Sequence, residues 1–228
     1  MLTRTDHPIA AALVDILDLV AARIAPDDRP VVELFVREYF AGINQEELAH
    51  HKADDLYGAA LSHWAFGRTR TLGAPIVRVC NPTLEEHSWQ STHTVIEIVN
   101  DDMPFLVDSV TMEVNRHGLM LHLIAHPILT VLRDPNGKLV EFPGNADGGV
   151  RESWMHLQVD RVHDPARLQA LREGIEHVLL DVRAAVEDWP KVLVKVREVI
   201  GEIQRSSLPI PAADVAIGRV QGVAAHVP

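Results

Sequence analysis

Apolar side chains in the N-terminal third recur three and four positions apart, the spacing of amphipathic helices. The first stripe consists of Ile9, Leu13, Ile16, Leu17, Val20 and Ile24. Residues 26–30 break this helix, and further helices are predicted over Val31–Phe40 and from Asp54 or Asp55 to about Arg70. A short piece, Gln45–His51, is predicted between them. We therefore expect a small helical region over residues 1–72.

From residue 73 onward the pattern changes to short apolar runs with alternating positions, which is typical of strands. Strands are predicted over Pro75–Cys80, Thr92–Val99, Leu119–Leu132 with an interruption at Pro127, Lys138–Phe142 and Ser153–Val162. One helix is predicted between Pro104 and Gly118. Two more are predicted near the end, one from Asp164-Pro165 and one from Asp188-Trp189-Pro190.

This order of elements favours an α+β fold, a ferredoxin-like antiparallel sheet with packed helices. The usual final strand is missing, because the chain after the second helix has a helical pattern. We expect Pro75–Cys80 to take its place as an antiparallel neighbour of Thr92–Val99. The predicted divisions are the helical region 1–72, an α+β domain over 73–206 with two C-terminal helices, and an irregular tail over 207–228.

The segment Asn100–Ser109 connects the strand Thr92–Val99 to the helix that follows it. Pro104 suits a first helical turn, and Asp101 or Asp102 is predicted to cap the free N–H groups there. Such a corner exposes backbone donors beside a sheet, where small ligands often bind. A capped connection without a ligand explains the same residues.

Composition limits the partners of the chain. Its 21 basic and 32 acidic residues give a net charge of −11, which argues against nucleic acid or an anionic membrane. No apolar run is long enough to span a bilayer, and charges interrupt the first helix, so no signal peptide is expected. The one cysteine, Cys80, cannot form an internal disulfide. We therefore expect a cytoplasmic protein.

Histidine is abundant, with 13 residues. His122 and His126 fall on one face of a predicted strand and His156 lies on another strand, so the three could converge on zinc. Polar residues on a solvent or dimer face explain the same positions. No dinucleotide fingerprint, phosphate-binding loop or serine nucleophile motif is present. No catalytic residue and no cofactor are therefore assigned to the chain.

Several long motifs resemble the N-terminal segment of the large bacterial NAD-specific glutamate dehydrogenases. They are Asn81–His87, Val99–Val110, His126-Pro127, Glu152–His156 and Asp188-Trp189-Pro190, within a similarity that runs from about Val31 to about Ile210. In that family the segment is an ACT-like domain, which lies far upstream of the core that binds glutamate and NAD. The tail Gly218–Pro228 departs from the family pattern.

The resemblance implies a non-catalytic regulatory or assembly domain of an NAD-dependent glutamate dehydrogenase. The parent enzyme would use NAD to convert L-glutamate to 2-oxoglutarate and ammonia. The implied partners are the rest of the dehydrogenase chain, other subunits of a homo-oligomer and an amino-acid effector. Two alternatives stay open, a stand-alone amino-acid sensor and a histidine-dependent metalloenzyme.

In ACT domains the effector usually meets the turn between the first strand and the first helix, which here is the corner. The resemblance implies the effector residues Asn100, Asp101, Asp102, Met103, Pro104, Phe105, Asp108 and Ser109. Phe105 stands where the ligand-binding pattern, Asp-x-Pro-Gly-Leu, has a glycine that lets a ligand approach the backbone. The corner is therefore also a candidate packing or assembly surface.

Overall fold

The computed structural model describes residues 11–43, 48, 50–142 and 149–205. Most of the predicted piece Gln45–His51 and the tail over 207–228 lie outside these residues. The helices are α1 (Ala11–Arg23), α2 (Arg29–Phe40), α3 (Ala53–Gly67), α4 (Leu84–His87), α5 (Leu106–Arg116) and α6 (Pro165–Arg205). The strands are β1 (Ile76–Cys80), β2 (Thr94–Asp101), β3 (Leu121–Ala125), β4 (Ile128–Arg133), β5 (Leu139–Glu141) and β6 (Val150–Val159).

The chain divides into two compact units, Met1–Arg183 and Ala184–Pro228. The first unit contains the sheet and all of the described helices except the end of α6. The helical region and the α+β domain, predicted on either side of residue 72, both fall within it. The division at that residue stays a prediction.

The sheet is antiparallel with the strand order β1-β2-β6-β4-β5, and β3 also pairs with β6. β1 pairs with β2 from Ile76 opposite Val99, so the predicted replacement of the missing strand is confirmed. β3 and β4 pair with successive parts of β6 and are separated at Pro127, the predicted interruption. The α+β, ACT-type architecture with a helical N-terminal region is therefore confirmed.

Helices cover both faces of the sheet. Towards α1–α3, Val99 and Trp154 join an aromatic core around Phe35, which is fully buried. A Cβ on Gly67 would collide with the Trp154 indole, so only glycine lets the end of α3 lie this close to the sheet. On the opposite face Ile96, Ile98, Met155 and Leu157 are fully buried, where α5 and the first part of α6 supply their apolar residues.

Two local predictions about the corner are wrong. β2 continues to Asp101, because Asn100 and Asp101 pair with Ser153 and Glu152 of β6. Helix α5 begins only at Leu106, with Phe105 as the preceding residue and no side-chain cap. Asp101 and Asp102 therefore do not cap this helix.

Two further differences concern helices. Thr83 accepts a hydrogen bond from the Glu86 amide and starts the short α4 between β1 and β2, where no helix was predicted. The two predicted C-terminal helices form one helix, α6, with Pro190 inside it. Proline there removes one backbone hydrogen bond, and an apolar helical pattern continues on both sides. The cap at its start is confirmed, because Asp164 Oδ1 accepts from the Ala166 amide at 2.9 Å.

The described part of the second unit is the end of α6. No described side chain from Ala184 to Arg205 is buried. Its exposed large apolar residues are Trp189, Val192, Val194, Val196, Val199 and Ile203. Among the described residues, no helix is long and apolar enough to cross a membrane.

Candidate functional site

Near the start of the corner, the side chain of Asp101 lies between two arginines. Asp101 Oδ1 accepts a hydrogen bond from Arg70 at 2.5 Å, and Oδ2 accepts from Arg183 at 2.6 Å. Burial alone would raise the pKa of Asp101, but the hydrogen bonds from both guanidinium groups outweigh it and lower the pKa. The Asp101 carboxylate is therefore ionised and fully engaged within the chain.

Behind Asp101 lies a buried ionic network centred on Glu152. Its Oε1 accepts from Arg70 at 2.7 Å and from Arg133 at 2.6 Å. Its Oε2 accepts from Arg133 at 2.8 Å and from the Trp154 indole at 3.2 Å. Arg133 also donates to the carbonyl of Gly67, so it satisfies the C-terminal end of α3. The network fastens the helical region to the sheet next to the corner.

The other polar residues of the corner are partly engaged. Asn100 Oδ1 accepts from Arg183 at 3.2 Å, whereas its buried Nδ2 has no hydrogen-bond partner. Asp102 pairs with Arg151 at 3.0 Å. Of the remaining effector candidates, Pro104 and Asp108 are exposed and Met103 and Ser109 are half-buried.

Phe105 has a backbone conformation that favours glycine. Its φ is 71°, in the left-handed region, and its side chain is 68% exposed. Its carbonyl accepts from the Ser109 amide at 3.0 Å in the first turn of α5. A non-glycine residue in this conformation costs roughly 1–2 kcal/mol. The corner thus has a left-handed turn before α5 and presents an exposed aromatic ring.

His122, His126 and His156, which the sequence offered as possible zinc ligands or as polar surface residues, do not together form a group of described residues close enough to hold a metal ion. His122 bonds to Asp160 at 2.7 Å, and His126 bonds to Ser153 at 2.6 Å. β3 has an irregular register after Leu121 and ends before His126, so the alternation of the two faces does not extend between the first two histidines. Only His156 points into a buried cluster.

That cluster consists of His63 on α3, Glu97 on β2 and His156 on β6. One ligand atom from each lies within 4.8 Å of the other two, and all three side chains are buried. Among the described residues, this is where histidine and carboxylate groups are close enough to hold a metal ion. The sequence contained a signal, because Glu97 lies on the same strand face as the buried, apolar Val95 and Val99.

Burial determines the charges in this cluster. It raises the pKa of Glu97 to about 7, although Arg78 beside it acts in the opposite direction. It lowers the pKa of His156 to about 4, with further contributions from His51 and Arg78. The pKa of His63 is also lowered well below its usual value, first by burial. At neutral pH both histidines are therefore uncharged.

A cavity of about 460 Å³ lies beside the cluster, between the sheet and the helices α2 and α3. His156, Gln158, Leu123 and Ala125 form its sheet side. Its other walls include Tyr39, Asp55, Trp89 and His93. The cavity gives the buried His156 access to solvent-sized molecules.

Known proteins resemble this chain over most of its length. The family model described as glutamate dehydrogenase, ACT1 domain, matches residues 35–175, which include the corner and the buried cluster. The NAD-specific glutamate dehydrogenase of Halomonas elongata is 41% identical over 186 residues, 80% of this chain and 12% of that protein. The Pseudomonas aeruginosa enzyme of the same name is 38% identical over 189 residues, 82% of this chain and again 12% of that protein.

A more distant relative is the NAD-specific glutamate dehydrogenase of Mycobacterium tuberculosis. It is 26% identical over 149 residues, which are 64% of this chain and 9% of that protein. The chain therefore spans about an eighth or less of the length of these relatives. Because the family model matches more than half of the chain, the chain belongs to the glutamate dehydrogenase ACT1 domain family.

Proposed function

We propose that the chain is a non-catalytic assembly and regulatory domain of an NAD-specific glutamate dehydrogenase. The corner carries the proposal: the carboxylates of Asp101 and Asp102 are bound by arginines of the same chain, whereas Phe105 projects outward. A free amino acid would need unpaired polar groups at this turn. An apolar partner surface would instead cover the exposed ring.

The end of α6 supports the same role. Trp189, Val192, Val196, Val199 and Ile203 are exposed at alternating spacings of three and four residues. This spacing places them along one side of the helix, where they form an apolar stripe. Exposed stripes of this kind mark protein-interaction surfaces. We propose that the rest of the dehydrogenase chain, or another subunit of a homo-oligomer, covers it in the cytoplasm.

The relatives are named NAD-specific glutamate dehydrogenases, which supports NAD and glutamate as the reactants of the parent enzyme. We propose that this enzyme converts glutamate to 2-oxoglutarate and ammonia. In this proposal NAD and glutamate bind to other parts of the enzyme. The ACT1 domain affects turnover by setting subunit contacts, so its effect on the active site is a coupling free energy. NAD reduction by this chain alone in the presence of glutamate would contradict the proposal.

A decisive test uses Phe105→Gly in a dehydrogenase that contains this domain. Glycine adopts the φ of 71° without strain, and little buried surface is lost, so the domain should be as stable or up to about 1 kcal/mol more stable. Subunit association should nevertheless weaken by about tenfold or more, measured by mass photometry across dilution.

Met120→Gly is the matched control, since Met120 is 65% exposed and lies outside the corner. It should leave subunit association unchanged. Equal association constants for the wild type and Phe105→Gly would refute an assembly role for the corner.

An amino-acid sensor remains the second candidate, favoured by the buried Asn100 Nδ2 without a partner and the left-handed turn at Phe105. A ligand that binds only the folded state stabilises it by about 2.7 kcal/mol at a hundred times its dissociation constant. Thermal unfolding with a panel of amino acids at millimolar concentration detects this gain. An unchanged melting temperature with every member would remove the candidate.

A further inference from the structure

Three buried polar atoms in the His63–Glu97–His156 cluster have no hydrogen-bond partner. They are Nε2 of His63, Oε1 of Glu97 and Nδ1 of His156. Leaving a buried polar group unsatisfied costs roughly 1–3 kcal/mol, and folded proteins rarely accept it. Three such atoms on three neighbouring side chains, from α3, β2 and β6, indicate a bound species that satisfies them together.

The partners of the other atoms leave these three available. Tyr39 Oη bonds to Nδ1 of His63 at 2.9 Å, and Arg78 donates to Oε2 of Glu97 at 2.5 Å. A proton on Nδ1 of His63, donated to Tyr39, gives Nε2 a free lone pair. Outer hydrogen bonds of this kind orient histidine and carboxylate ligands in metal sites.

The donor set determines which ion fits. Two imidazoles with one carboxylate suit zinc and similar transition metals, whereas calcium and magnesium prefer oxygen ligands. Zinc ligands lie about 2.0–2.2 Å from the ion. The ligand atoms of the three side chains lie within 4.8 Å of one another, so movements on the order of 1 Å bring them to these distances from a shared ion. The positive charge of Arg78 opposes binding, so the bonds to both imidazoles must outweigh it.

Because three neighbouring buried atoms lack hydrogen-bond partners, we propose that His63, Glu97 and His156 bind one zinc ion between helix α3 and the sheet. The ion joins the helical region to β2 and β6, a structural role separate from assembly at the corner. His156 also lines the cavity, so a water molecule there can supply a fourth ligand. Zinc binding displaces any proton on Glu97 and leaves the histidines neutral.

The test titrates cobalt(II) into the purified, tag-free chain after removal of metals with a chelator. Cobalt in a nitrogen–oxygen site of low coordination number gives visible absorption bands, and one equivalent of zinc should abolish them. We expect one cobalt ion per chain and a rise in the melting temperature with zinc. His63→Gln and His156→Gln should each weaken zinc binding by about 10- to 100-fold or more.

His122→Gln is the matched control, because His122 is a partly exposed histidine that bonds to Asp160 away from the cluster. It should bind one zinc ion with unchanged affinity. The wild-type titration decides the question even if a cluster variant fails to fold. Absence of stoichiometric cobalt or zinc binding by the wild type would mean that water satisfies the three atoms, and would overturn the proposal. The proposal would also be overturned if His122→Gln lost zinc binding while His63→Gln and His156→Gln retained it.

Discussion

Glu152 is the residue on which the ionic network beside the corner depends. Its side chain is fully buried and is bound by Arg70 and Arg133, which are also buried. Glu152→Gln removes the negative charge, so Arg133 loses its ionic partner and Arg70 keeps only its ion pair with Asp101. Breaking a buried ion pair by removing one member costs about 3–5 kcal/mol. We expect the free energy of unfolding in urea to fall by that amount.

The control for this substitution is Glu176→Gln, in an ion pair with Arg172 that is more than one-third exposed on both sides. Exposed pairs of this kind contribute about 0.5 kcal/mol or less. If Glu152→Gln lowers the free energy of unfolding no more than Glu176→Gln does, the buried arginines find other partners.

At the residue scale, sequence patterns located the corner but assigned its aspartates incorrectly. Capping is a local rule, so it predicted Asp101 or Asp102 at the start of α5. The actual partners of Asp101 are 31 and 82 residues away, in Arg70 and Arg183. A single sequence contains no information about such pairings until the sheet register is known. The clustering of His63 with His156 was hidden for the same reason.

At the element scale, periodicity predicted the strands and most helices because each buries one face. β1 was placed correctly beside β2 because both have alternating apolar residues and the sheet needed an antiparallel neighbour. The exceptions are the short α4, which was not predicted, and α6, where a proline was interpreted as a helix start. A proline at a first turn and one inside a helix have the same local sequence, so only packing distinguishes them.

Pro190→Ala tests the continuity of α6. Alanine restores an N–H group that can bond to the carbonyl of Val186, and helix propensity alone favours it by about 3 kcal/mol. Because no described side chain after Arg183 is buried, this gain should appear locally. We expect slower amide hydrogen exchange over residues 186–200, measured by mass spectrometry, with unchanged exchange in the sheet.

Pro165→Ala is the control, since proline at the first helical position replaces an N–H group that has no intrahelical partner. It should leave the exchange rates of residues 186–200 unchanged. Faster exchange there in Pro190→Ala would indicate that the proline is required for the end of the helix to form.

At the scale of the whole molecule, the buried cluster links the stability of the fold to pH. Its titrating members are His63, Glu97 and His156. The neighbouring titratable and charged groups are Tyr39 from α2, His51 before α3, and Arg78 and Cys80 from β1. Burial raises the pKa of Tyr39 well above 10 and that of Cys80 to about 11, so neither changes charge in mild acid. The three cluster members therefore set the pH dependence of the cluster between pH 7 and pH 4. Outside the cluster, His93 and His126, whose pKa values burial also lowers, add to the loss of stability in acid.

Their contributions have opposite signs. Lowered pKa values make the two histidines stabilise the fold above pH 6.5, and this stability is lost as the pH falls below 6.5. The raised pKa of Glu97 gives stability that is present below pH 4.5 and is lost as the pH rises towards 7. Between pH 4.5 and 6.5 the unfolded chain binds two protons at these positions and the folded chain binds one. Acid should therefore destabilise the metal-free protein, by about 1.4 kcal/mol per pH unit from these groups.

Glu97→Gln isolates the contribution of the carboxyl group. Without Glu97 the folded chain no longer takes up this proton, so the two histidines act unopposed. The fall in the free energy of unfolding between pH 6.5 and 4.5 should therefore steepen by about 1.4 kcal/mol per pH unit. Urea unfolding in the presence of a chelator, repeated across this range, measures the slope independently of any overall loss of stability. Glu176→Gln, in an exposed ion pair outside the cluster, should leave the slope as in the wild type. An identical slope in Glu97→Gln would mean that Glu97 is already ionised in the folded protein, because the salt bridge with Arg78 then outweighs burial.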